Sequence, residues 1–173
     1  MISRPSFHYP NAFGASLREA GRFIGSAILL PSLLLATNIA LATEPVSKSR
    51  FWGVAIGGHD TTAYHELEPE TAASEGASDH TVRYKGAKWR FASAESAAAF
   101  RADPDKYSPA YNGFCANALS LGEGLVKTDG TYWVIFDDQL YLFFAERGRE
   151  RWDEGDRQSY KKEADAAWNR LKH

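Results

Sequence analysis

Two groups of residues in this chain are equipped for chemistry. One is a lone thiol, Cys115, in the stretch GFCANAL; the other is a set of upstream histidines, His59, His65 and His80. Asp60, Glu66 and Glu68 crowd the first two histidines. A thiolate combined with imidazoles suits copper or zinc, so Cys115, His59 and His65 are the candidate metal ligands. On a regular strand His59 and His65 would share a face but stand about 20 Å apart, so only a turn lets them converge. The plainer reading of each histidine is an exposed or hydrogen-bonded residue, and surface solvation explains the carboxylates.

Cys115 is also the one redox candidate. Its neighbours Phe114 and Ala116 suggest burial, and buried thiols are inert. Gly113 and a helix start close behind it pull the other way, because helix N-termini favour thiolates. The chain has a single cysteine, so it has neither an internal disulfide nor a resolving partner for thiol exchange. Burial is expected to dominate. On that reading Cys115→Ser costs about 1–3 kcal/mol, by bringing an unpaired hydroxyl into an apolar pocket. Phosphate loops, nucleophile elbows and HExxH zinc motifs are absent, which weighs against an enzyme and leaves any cofactor unassigned.

The elements that must position these groups follow from periodicity. FWGVAI, Phe51 to Ile56, reads as a first strand stopped by Gly57-Gly58. HDTTAYHELEP is extended and turn-like, ending at Pro69, and ETAASEGASDH is a small-residue loop. TVRYKGAKWRFA is a hairpin turned by Lys85-Gly86. Ser93 caps a helix with Glu95 in its first turn and Phe100 as its large anchor, and Pro104 ends it at Asp103. Phe114 to Leu121 reads as a short helix. YWVIFDDQLYLFF is the clearest hairpin, turned at Asp137-Asp138. Tyr160, Ala164, Ala167, Trp168 and Leu171 form one apolar stripe of a final helix. The tryptophans mostly fall on apolar stripes and are core by default, although five in a small domain could also line a ligand pocket. The class is therefore α+β: small antiparallel β-hairpins packed with short helices and a C-terminal amphipathic helix.

At 173 residues the chain suits one domain. A net charge of −2 gives no reason to expect nucleic acid as a partner. Arg147, Arg149 and Arg151 read as a solvated helix face. Arg4, Arg18 and Arg22 precede an apolar run from Phe23 to Ala42, which ends in the small-x-small pattern Ala40-Leu41-Ala42. That is the grammar of a secretory signal peptide over residues 1–42, with a polar linker at 43–50 and a domain at 51–173. The expectation is a periplasmic or secreted protein with no membrane span after cleavage. The alternative is an uncleaved N-terminal anchor, since the run is long enough to cross a bilayer.

Phe91, Ser93, Phe100, Pro104 and Tyr107 fit the pattern F-C-S-x-x-C-x-x-x-F-x-x-x-P-x-x-Y, with Ala92 and Ser96 at the two cysteine positions. In this the chain resembles the YHS-domain family, and it is similar to an exported bacterial branch in which one such module fills most of the chain. The likeness extends to GGHDTTAYHE, KGAKWRFASAES, YNGFCANAL, DDQLYLFF, RERW and ADAAWNRL. It implies an exported binding module related to metal handling, with a metal ion or a protein as partner. Ala92 brings no donor and Ser96 only a neutral hydroxyl, so the inherited thiolate pair is dismantled and those positions are expected to serve packing. Selenoprotein members of that branch imply a thiol-based redox role for Cys115 as one alternative. A structural or interaction module is another.

Overall fold

A computed structural model describes residues 44–68 and 71–173. The apolar run read as a signal peptide lies outside these residues, as does Pro69. Strand β1, Ala77–Tyr84, pairs antiparallel with β2, Ala87–Phe91. Lys85 and Gly86 both have positive φ, 46° and 70°, as a two-residue hairpin turn of matching twist requires. β1 begins inside the stretch read as a loop. Its register shifts between Ala77 and Thr81, and this irregularity lets the non-alternating ASDH segment join the ladder.

Helix α1, Ala94–Ala102, starts at Ser93, whose side chain accepts the Ser96 N–H, and Phe100 is fully buried. Pro104 does end it, and occupies the first turn of a four-residue helix α2, Pro104–Tyr107. Helix α3 is shorter than expected, Ala116–Ser120, with Cys115 itself as its N-cap. Strands β3, Tyr132–Phe136, and β4, Gln139–Phe143, form the second hairpin through Asp137-Asp138. Two further helices follow, α4, Glu146–Glu154, and α5, Arg157–Leu171.

The second hairpin organises the core because both its faces are apolar. Trp133, Leu140 and Leu142 face one cluster, with Trp89, Phe91, Phe100, Ile56 and Tyr64. Val134, Tyr141 and Phe143 face the other, with Phe114, Cys115, Leu119 and Trp152. Period-2 alternation thus makes β3–β4 the shared wall of two cores. On α5, Ala164 and Ala167 are buried in the second core with Trp168 packed beside them, while Leu171 is left 40% exposed.

The strand expected at 51–56 does not form. Residues 49–54 instead make a tight loop: Ser49 N–H donates to the Val54 carbonyl, Gly53 N–H to the Ser49 carbonyl, and the Ser49 hydroxyl accepts the Val54 N–H. Gly53 closes the loop at φ 65°, a conformation that suits glycine. Val46 and Ser47, in the segment read as a linker, are buried, and Ser47 exchanges hydrogen bonds with Thr128.

Candidate functional site

Cys115 is placed by an unusual backbone. Tyr111, Asn112 and Gly113 all have positive φ, 56°, 50° and 83°. A Cβ on Gly113 would sit 2.5 Å from Ile56 Cγ2, so only glycine lets this turn close against the first core. Asn112 is held by Lys85 Nζ at 3.1 Å and by its own amide donating to the Pro45 carbonyl. Beyond the turn, Cys115 N–H donates to the Val126 carbonyl at 2.8 Å. The thiol is then fixed from two directions: Sγ accepts Ala118 N–H at 3.4 Å and Phe144 N–H at 3.3 Å. At 3% exposure it is buried, as expected. It is not without polar partners, so the premise for a costly Cys115→Ser exchange does not hold.

This sulfur lies in the wall of a cleft of about 350 Å³ between α3, the end of β4 and the start of α4. Leu121, Val126 and Phe144 supply apolar wall, and Leu121 and Phe144 remain 50% and 66% exposed. Arg151 is not a solvated bystander. Its Nη1 donates to Asn117 Oδ1 at 2.7 Å and Ser120 Oγ at 3.1 Å, and its guanidinium lies 3.7 Å from the Tyr160 ring centroid. Stacking and hydrogen bonding together fix a planar cation at the cleft. Arg147 is exposed on the same wall, and Glu123 contributes a carboxylate. Arg149 turns instead to Asp153, at 2.7 Å. Apolar walls with two guanidinium groups suit a small ligand with an apolar body and an anionic group.

The positions of the dismantled thiolate pair line a different cleft, of about 400 Å³, with Asp60, His65, Glu66, Glu95 and Lys106. Ala92 is exposed and Ser96 half-buried, so they do not fill packed interior as the sequence reading expected. The reason is Asp60, fully buried and satisfied by its neighbours. Oδ2 accepts Ala92 N–H at 2.8 Å, and Oδ1 accepts both the N–H and the hydroxyl of Thr62 at 2.9 and 2.7 Å. The carboxylate ties the start of α1 to the 59–66 segment, leaving the two side chains on the cleft wall. Read from the sequence as solvated, Asp60 carries its own signal: Asp-Thr-Thr is a run that favours a side-chain-closed turn.

The histidines are half-buried beside this region. His65 lies edge-on to Tyr107, with centroids 5.9 Å apart, and its Nε2 is buried without a hydrogen-bond partner. Burial pushes its pKa below the usual imidazole value, Lys106 adding to the effect and Asp138 opposing it. His59 Nδ1 is likewise buried and unpartnered. Cys115 belongs to the second core, whereas Tyr107, against which His65 rests, packs on the first. Among the described residues no group of three or more His, Cys, Asp or Glu side chains is placed to hold a metal ion.

No protein-family model matches this chain, and neither does any curated protein or solved structure. Its function is therefore argued from the geometry. Among the described residues no helix is long and apolar enough to cross a membrane.

Proposed function

We propose that this chain is an exported binding module of the YHS-like type, non-enzymatic, whose working surface is the Cys115 cleft. The observation that carries the reading is the guanidinium of Arg151, fixed by Asn117 and Tyr160, in a cleft that buried Cys115 and exposed apolar residues also line. Such a cleft retains an apolar anion without transforming it. A soft-metal role at α1 is not supported, because Ala92 and Ser96 offer no thiolate and Asp60 is engaged with backbone and Thr62. The two N–H donors that converge on Sγ favour a second reading, a thiol-based redox protein using Cys115.

Elemental analysis beside thiol titration, on protein purified from its native compartment, separates these readings. The binding module carries less than one equivalent of copper or zinc, and its single thiol titrates only after unfolding. Stoichiometric metal lost on Cys115→Ser would assign the site to metal instead, and a rapidly titrating native thiol would assign it to redox. For export, intact mass should show a mature chain beginning at or near Thr43; full-length chain in the membrane fraction would contradict it.

A further inference from the structure

The loop at 49–54 shows two aromatic side chains to water at its tip. Phe51 is 86% exposed and Trp52 74% exposed. Its hydrogen bonds through Ser49 and Gly53 make it a formed element, so the pair is presented by a built turn. Basic residues surround this turn. Lys48 and Arg50 belong to it, Lys88 exchanges backbone hydrogen bonds with Gly53 and Ala55, and Arg90 lines a shallow groove with Trp52. Lys127 reaches in to the Lys48 carbonyl at 2.9 Å, and Lys48 Nζ itself donates to the Gly86 carbonyl at 2.7 Å. Among the described residues none of these cations has a carboxylate partner. Glu44 is engaged elsewhere, with Lys85, and Asp129 accepts the Thr131 N–H. An un-neutralised cationic collar around exposed aromatic rings, on a chain of net charge −2, is a local feature with its own use.

We propose that the Phe51–Trp52 tip and its collar of Lys48, Arg50, Lys88, Arg90 and Lys127 dock on an anionic lipid bilayer. The rings enter the interfacial region and the cations face lipid phosphates. Charge complementarity selects this occupant over a second copy of the chain, whose matching patch would bring the same positive charges together. Docking would hold the domain at the membrane surface, and it does not depend on what occupies the Cys115 cleft.

The test uses the chain as isolated from cells, mixed with vesicles of phosphatidylglycerol and phosphatidylcholine carrying brominated acyl chains. Trp52 quenching is taken as the difference between the parent and Trp52→Phe, which leaves the other tryptophans common to both. With anionic vesicles the Trp52 contribution should fall by at least about half, and recover in Arg50→Glu/Lys88→Glu or in vesicles of phosphatidylcholine alone. Three results overturn the proposal. One is a Trp52 contribution unmoved by anionic vesicles, and another is equal quenching in neutral ones, which would leave the cations without a role. The third is concentration-dependent burial of Trp52 without lipid, which would assign the tip to contact between copies of the chain.

Discussion

Cys115 shows how much a single side chain's partners alter an expectation. Its sequence setting, between Phe114 and Ala116, announces burial, and burial is found. What sequence could not show is that Phe144, distant along the chain, aims its N–H at the sulfur from the end of β4. Serine at this position keeps an acceptor for that N–H and for Ala118, in a residue type suited to helix caps. Cys115→Ser should therefore cost about 1 kcal/mol or less, while Cys115→Ala, which strands both donors, should cost about 1–2 kcal/mol. Urea denaturation of the two variants checks the order, and a serine variant less stable than the alanine one would contradict it. His65 gives a second prediction. Because burial lowers its folded-state pKa, the unfolded chain takes up the proton more readily. The stabilisation is then full above the ordinary imidazole value of 6.5 and is lost as pH falls below it towards the folded value. Between pH 7.5 and 5.5 the melting temperature of the parent should drop more than that of His65→Phe, which keeps the ring against Tyr107.

At the scale of elements, the clearest sequence signals were those with strict periodicity or a strong stop. The Asp137-Asp138 and Lys85-Gly86 turns, the Ser93 cap and the Pro104 boundary all stand where local chemistry put them. Phe51 to Ile56 misled because hydrophobic residues in a row imitate a strand, while the Gly53 turn and Ser49 hydroxyl spend the same backbone groups on a loop. The start of β1 was hidden for the opposite reason, since small polar residues can pair across a bulge without alternating. Helix α1 carries a prediction of its own. Ala92 and Ser96 stand on an open cleft wall near His65, so Ala92→Cys/Ser96→Cys should fold and acquire soft-metal affinity, whereas the parent shows little through this helix. Zinc or copper titration followed by thermal melting tests this. Tight stoichiometric binding by the parent that vanishes in Ser96→Ala would contradict the account of this helix.

The described residues form two apolar cores sharing one hairpin as their wall, and the candidate site depends on both. The turn through Tyr111, Asn112 and Gly113 is pressed against Ile56 of the first core, while the cysteine it delivers packs in the second. The α+β class and the buried cysteine were legible from pattern, because each is a local property of composition and spacing. The cleft was not. Its walls come from α3, β4 and α4, and Arg151, one of three alternating arginines, is singled out only by Asn117, Ser120 and Tyr160. The central claim is that Cys115 forms part of the wall of a binding cleft and does not act as a nucleophile. The rate of alkylation of native protein from pH 6 to 8, compared with the unfolded chain, tests it most directly. Reaction should be slow when folded and fast when unfolded; rapid alkylation of the folded protein at pH 6, with thiolate absorbance persisting there, would contradict it and assign Cys115 to redox chemistry.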